Sequence, residues 1–428
     1  MKKIYSVFAF ALFFASITVN AQDFLYGDAL PDAPELSARG AYDIGVRTMN
    51  LVNKGQVDIL NSKDGKDPLY DRKLTVEMWY PADLPSGTTA SVVYNEVMGT
   101  RGDSLRPLIP FTFKGRAMRD AKPLQKDGAF PLIIVSHGYV GSRYLMTYLT
   151  ENLASKGYVV VSIDHTDSTF KDANAFQSTL LNRALDVRFV LNEMEALGAA
   201  SSKDGLKGLV DANNTAIIGY SMGGFGVLNV AGAGYSDAFA GFTVGMTGGS
   251  KAISIHSASN PEYQKMKDAR IKAVVAFAPW GMERGVWDAE GLKGLKTPTL
   301  FIAGSQDDIS GYEKGIKAIY TGAVNADRYL LTYMGARHNV APNPPPSEAF
   351  AAGLHIDEYY RYADSTWDQR KMNNVNQHFI TAFIGRLLKQ KEYTKYLDIQ
   401  ENSNEKNWEG FKPRSSTGME LLHATPME

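Results

Sequence analysis

The sequence contains no cysteine, which excludes disulfides, thiolate metal sites, iron–sulfur clusters and a cysteine nucleophile. It has no charge excess of either sign: 45 Lys and Arg stand against 46 Asp and Glu, a net charge of −1. That balance removes the usual electrostatic case for nucleic-acid binding. Beyond the amino terminus no run is long and apolar enough to suggest a transmembrane segment. Glycine and proline are too sparse, at 39 and 18 of 428 residues, for a collagenous or low-complexity chain. What is present is ordinary globular material, with 44% hydrophobic and 21% charged residues. We find no internal repeat.

The marked apolar run lies at the start. Lys2 and Lys3 precede Ile4 to Val19, and Val19-Asn20-Ala21 offers small residues at a cleavage site. This order predicts a signal peptide over residues 1–21, with the mature chain starting near Gln22. The run falls short of the roughly 20 residues that span a bilayer, which disfavours an uncleaved anchor. A lipoprotein would need a cysteine. The expectation is a secreted or periplasmic protein with no transmembrane anchor after cleavage.

Gly40–Leu60 and Arg72–Tyr80 read as strands, the second on the alternation of Leu74-Thr75-Val76-Glu77-Met78-Trp79. Residues 81–128 read as connecting loops. Continuous apolar runs then predict buried parallel strands at 131–135, 158–163 and 215–218, with others at 271–276, 299–303 and 328–333. Helices are expected between them, at 142–156, 174–197, 222–231 and 311–321, and a last one at 366–390. The 174–197 helix carries Leu180, Ala184, Val187, Leu191 and Met194 on one stripe. Residues 232–268 break the alternation and read as an insertion over the sheet's carboxyl edge. Residues 22–398 form a single domain on this reading, and 399–428 form a wrapped or loose tail. The class is α/β, with a mostly parallel central sheet flanked by helices on both faces. Ligands bind such sheets beyond the carboxyl ends of the strands.

Gly219-Tyr220-Ser221-Met222-Gly223 matches G-x-S-x-G, and it follows an apolar strand and opens a helix. That context makes Ser221 the candidate nucleophile, close to a helix amino terminus that favours developing negative charge. A serine nucleophile needs a base and an orienting carboxylate. Downstream histidines are 256, 338, 355, 378 and 423. His338 follows the last core strand in a loop at the carboxyl edge, which suits the base. His256 lies in the insertion, His355 and His378 in the carboxy-terminal helical region, and His423 in the tail. Asp307 leads Asp308 as the acid, because strand–Gly–x–x–Asp puts the first carboxylate on the turn. The backbone N–H groups of Met222 and Tyr139 are the candidate oxyanion donors. His137 shares the Tyr139 loop and suits a structural role there. His165 and Asp167 hint at a metal, but two groups on one loop suit a structural or cleft-shaping role better. No metal or organic cofactor is implied.

Taken together, Ser136-His137-Gly138-Tyr139, Gly219–Gly224, Ala278-Pro279-Trp280 and Asp307 after its strand resemble an α/β-hydrolase. The resemblance narrows to the group of platelet-activating-factor acetylhydrolase, dienelactone-hydrolase-like proteins and bacterial polyester hydrolases. Residues 74–81 and 182–189 support it, over roughly residues 40–390. It implies the triad Ser221, Asp307 and His338, and an oxyanion hole at Tyr139 and Met222. It also implies that Trp280 lines the acyl pocket. Dienelactone hydrolases use cysteine, so their substrate is not inherited. The 232–268 insertion and the segment after His338, with Pro342, Pro344, Pro345 and Pro346, depart from compact polyester hydrolases and should reshape the cleft.

The leading expectation is a secreted serine esterase or lipase forming a covalent acyl-enzyme on a small-molecule or lipid-like ester. The same residues suit an amidase or peptidase, and a noncatalytic binding protein on this scaffold is the third reading. The sequence carries no signal for oligomeric state.

Overall fold

The computed structural model describes residues 24–125 and 128–427; the expected signal peptide lies outside the described residues. The strands are β1 (Ile44–Val57), β2 (Leu69–Pro81), β3 (Val92–Met98), β4 (Ile109–Gly115), β5 (Ala117–Arg119) and β6 (Phe130–Ser136). They continue as β7 (Val159–Asp164), β8 (Val210–Tyr220), β9 (Ile271–Phe277), β10 (Thr299–Gly304), β11 (Arg328–Tyr333) and β12 (Met419–Ala424). Ten of them form one sheet in the order β12-β11-β10-β9-β8-β6-β7-β2-β1-β5. From β11 across to β7 every pairing is parallel, while β2 joins β7 and β12 joins β11 antiparallel. The parallel strands are buried on both faces, as their unbroken Val, Ile and Leu runs require.

The helices are α1 (Thr147–Ser155), α2 (Phe176–Gly198), α3 (Met222–Val230), α4 (Asp237–Met246), α5 (Pro261–Lys265), α6 (Ala289–Lys293), α7 (Lys317–Gly322), α8 (Ile356–Tyr360) and α9 (Gln369–Lys389). The stripe read on α2 is buried at all five positions, so burial of that face holds the helix on the sheet. The helix expected over 311–321 is a π turn, Tyr312–Ile316, leading into α7.

One expectation needs correction. Residues 81–128 are not merely loops, because β3 and β4 pair there as a separate hairpin and β5 adds an edge to the large sheet. The alternation of β3 is masked in the sequence because an acidic residue, Glu96, occupies an inward position beside Tyr94 and Met98. Of the two readings of the tail, wrapped or loose, the wrapped one fits: β12 pairs in register with β11, Leu421 opposite Leu331, and covers that strand's open edge. The insertion packs against the first turns of α2, at the sheet's carboxyl edge, where Tyr235 donates to the Leu180 carbonyl (2.9 Å) and His256 meets the Leu181 carbonyl (2.7 Å).

Candidate active site

Ser221 stands between the end of β8 and the first residue of α3, at φ 53° and ψ −111°. A non-glycine residue rarely adopts this backbone, and the surroundings must enforce it. Its N–H donates to the Phe277 carbonyl (2.9 Å), and its own carbonyl accepts from the N–H groups of Phe225 (2.9 Å) and Trp280 (3.2 Å). The flanking glycines are a steric requirement. A Cβ on Gly219 would lie 2.2 Å from the Gly223 carbonyl oxygen, and one on Gly223 would lie 2.0 Å from that of Ser136.

The carboxyl ends of β10 and β11 deliver two further side chains to this point. His338 Nε2 lies 2.9 Å from Ser221 Oγ, and its Nδ1 lies 2.8 Å from Asp307 Oδ2. The other Asp307 oxygen accepts from the N–H groups of Ile309 (2.9 Å) and Ser310 (2.8 Å). Burial opposes the charge on Asp307, but His338 and these N–H donors prevail and hold its carboxyl below the usual carboxylate range. Asp308 turns to solvent and pairs with Arg337. The geometry therefore separates the two adjacent aspartates that the sequence left open.

The other downstream histidines lie elsewhere. His256 and His378 are buried, which pushes their imidazoles down to about 4 and about 3. His355 caps α8, and His423 stacks on Tyr329 and meets Asp327 at 2.7 Å.

Tyr139 follows β6 on a loop that lies against the nucleophile, since a Cβ on Gly138 would stand 3.5 Å from Ser221 Cβ. The Tyr139 hydroxyl donates to the Asn174 carbonyl (2.6 Å), and its ring meets Phe176 edge-on. Met222 opens α3, where a backbone N–H has no acceptor within the helix. His137 is wholly buried, and its Nδ1 lies 2.6 Å from the Gly138 carbonyl oxygen, beneath the loop.

A second cluster escaped the sequence reading. His165 is bonded to Asp186 (Nδ1 to Oδ2, 2.9 Å) and to Ser136 (Nε2 to Oγ, 2.9 Å). Arg72 clamps Asp186 through Nε (2.7 Å) and Nη2 (2.9 Å) and reaches Asp167 (3.1 Å). Arg183 donates to the His137 carbonyl (2.6 Å). His165 and Asp167 are therefore tied into an ion-paired network under the loop. Among the described residues no acidic and histidine cluster suits a metal. The available signal was Arg183 and Asp186, charges set within the inward stripe of α2.

The cleft at Ser221 has a volume of about 300 Å³ and is lined by Tyr139, Tyr220 and His338 together with Arg106, Tyr360 and Arg361. The segment after His338 does reshape it, through α8 and the residues that follow. The 232–268 insertion does not border it. Trp280 packs edge-on between Phe176 and Phe225, their ring centroids 5.1 and 6.0 Å away. Trp280 is half-buried, and Phe176 lies between it and the Tyr139 ring.

A family model described as PET hydrolase-like matches residues 121–241. Cutinase est2 of Thermobifida alba is 26% identical over 220 residues, 51% of this chain and 56% of the relative. Bis(hydroxyethyl) terephthalate hydrolase of Streptomyces coelicolor is 23% identical over 239 residues, 56% of this chain and 59% of the relative. The chain thus spans little more than half the length of these curated relatives. Among solved structures, a ferulic acid esterase from Streptomyces cinnamoneus superposes with a TM-score of 0.52 at 21% identity, covering 84% of this chain and 94% of that one. The chain is an α/β-hydrolase in fold, and its sequence relatives are the cutinases and PET hydrolase-like proteins.

Proposed function

We propose that this protein is a serine hydrolase that cleaves carboxylic esters through a covalent acyl-enzyme. The observation that carries the reading is the continuous hydrogen-bonded chain from Ser221 Oγ through His338 to Asp307, at 2.9 and 2.8 Å. Ser221 Oγ attacks the acyl carbonyl while His338 Nε2 takes its proton. Asp307 fixes the tautomer with the proton on Nδ1 and stabilises the imidazolium that forms. Negative charge develops on the carbonyl oxygen, where the N–H groups of Met222 and Tyr139 receive it; each such donor is worth about 2.7–4 kcal/mol in the transition state. His338 then returns the proton to the leaving alcohol. Water, activated by the same imidazole, releases the acid. Ester substrates are favoured by the relatives named above, all of which carry ester-cleaving names. Export by the amino-terminal segment completes the reading.

The test is labelling with a fluorophosphonate, followed by turnover of matched p-nitrophenyl esters and anilides. The expected result is an adduct on Ser221 and faster turnover of the ester. A folded protein that takes no label would favour a noncatalytic role, and faster turnover of the anilide would point to an amidase.

A further inference from the structure

Three arginines border the cleft, and they differ in what neutralises them. Arg337 pairs with Asp308 at the rim. Arg106 donates through Nε to Glu358 (2.6 Å) and stands 3.6 Å from Asp357. Glu358 is fully committed, because its second oxygen accepts from the Gly99 N–H (2.8 Å). Arg361 has no carboxylate within 4.0 Å among the described residues. Its Nη1 donates to the Val140 carbonyl (3.3 Å), its guanidinium lies over the Phe170 ring (5.2 Å), and its buried Nε has no hydrogen-bond partner among the described residues.

A largely buried charge without a counter-ion is costly, and proteins keep such groups where a ligand completes them. Burial, then the neighbouring Arg106, draws Arg361 below the usual arginine value, with Glu358 opposing only in part. The position is also specific. Val140 is the residue after Tyr139, so Arg361 touches the loop that borders Ser221 and faces the same cleft. A guanidinium with unspent N–H donors matches a carboxylate in shape and charge. A neutral ester would leave it unpaired.

We propose that Arg361 forms a carboxylate-binding subsite beside Ser221, so that the preferred substrates are esters carrying a negative charge, such as half-esters of dicarboxylic acids. The proposal rests on the ester-hydrolase reading above and names the substrate class of that site. The half-ester binds with its free carboxylate on Arg361 and its ester carbonyl at Ser221. Its hydrolysis gives a dicarboxylate and an alcohol, with water as the only co-reactant.

The test uses the full-length protein at neutral pH and compares kcat/KM for monoethyl adipate with that for diethyl adipate, after fluorophosphonate labelling of Ser221 has been scored. The wild type is expected to prefer the half-ester, and raised ionic strength to weaken that preference. Arg361→Gln is expected to lower the half-ester to diester ratio about tenfold or more, the scale of one charged hydrogen bond, while Arg361→Lys retains part of it. An unchanged ratio in Arg361→Gln overturns the subsite and leaves Arg361 as a tether of α8 to the Val140 loop. Should Arg361→Gln not fold, the wild-type preference and its salt dependence decide. A protein that takes the label but does not favour the half-ester overturns the proposal. A protein that neither takes the label nor hydrolyses either ester fails the ester-hydrolase reading itself.

Discussion

Two Ser–His–Asp chains run through this molecule, and they are nearly congruent in their bonds. At the cleft, Ser221, His338 and Asp307 are joined at 2.9 and 2.8 Å. Beneath the neighbouring loop, Ser136, His165 and Asp186 are joined at 2.9 and 2.9 Å. Their surroundings differ. Ser136 and Asp186 are wholly buried and His165 is 1% exposed, whereas Ser221 borders a cavity. Burial and the adjacent Arg183 push the His165 imidazole down to about 3, outweighing Asp186. It cannot accept a proton near neutrality, and no ester can reach Ser136. The cleft chain has an open side at Ser221. A hydrogen-bonded Ser–His–Asp chain is therefore not by itself a reaction site; access to a cavity decides which of the two a substrate can reach.

The comparison can be broken most sharply at the two serines. Ser221→Ala should lower turnover by about 10⁶-fold and abolish labelling without unfolding the protein. Mass spectrometry of labelled wild type should find the adduct on Ser221 and none on Ser136, and an adduct on Ser136 would dissolve the distinction. The two aspartates come next. Asp307→Asn should cost about 10⁴-fold in kcat through loss of the correct tautomer, with a melting temperature close to wild type.

Asp186→Asn should act on stability instead, by about 3–5 kcal/mol in urea unfolding, since it removes the two-point carboxylate partner of the buried Arg72 and leaves it only Asp167. Asp186 is held down at about 2 against an ordinary 3.8: burial opposes this, but Arg72 and the His165 hydrogen bond prevail. A carboxyl lowered on folding stabilises above its unfolded value. That contribution should be present above about pH 4 and lost as pH falls through about 2. A wild-type-like urea midpoint for Asp186→Asn would count against the buried network as a structural element.

The smallest effect sharpens the role of the arginine clamp. Glu96 is a buried carboxyl with no arginine paired to it among the described residues, and burial, helped by Asp164, pushes it up to about 7 from 4.5. Its sign is opposite to that of Asp186. Stability is fully present below the unfolded value and lost as pH rises through about 7. Glu96→Gln should therefore stabilise the protein at pH 8 by on the order of 1–3 kcal/mol, and the gain should close as the pH is lowered toward that of the unfolded carboxyl. A pH-independent difference between the two proteins would show that Glu96 does not titrate in this way.

Much of the sheet was legible because each parallel strand is written in a few consecutive residues. The run at 131–135 and the strand at 328–333 need only local apolarity to be recognised. Ser221 was legible for the same reason, since the two glycines that permit its turn lie within two residues of it. The hairpin of β3 and β4 was not, because Glu96 interrupts the alternation at an inward position that only its tertiary surroundings justify. The tail strand β12 was missed because its pairing partner β11 lies far back along the chain.

By itself the sequence determined the α/β alternation, the strand-to-helix turn that carries Ser221 and the candidates for its partners, since all of these depend on short-range sterics and the period of apolar residues. Tertiary structure decided which aspartate meets His338, which of two Ser–His–Asp chains borders the cleft, and that Arg361 faces the cleft with no carboxylate paired to it among the described residues. Those outcomes turn on distances between side chains remote in sequence and on how much water reaches them, and neither quantity is encoded in a local pattern.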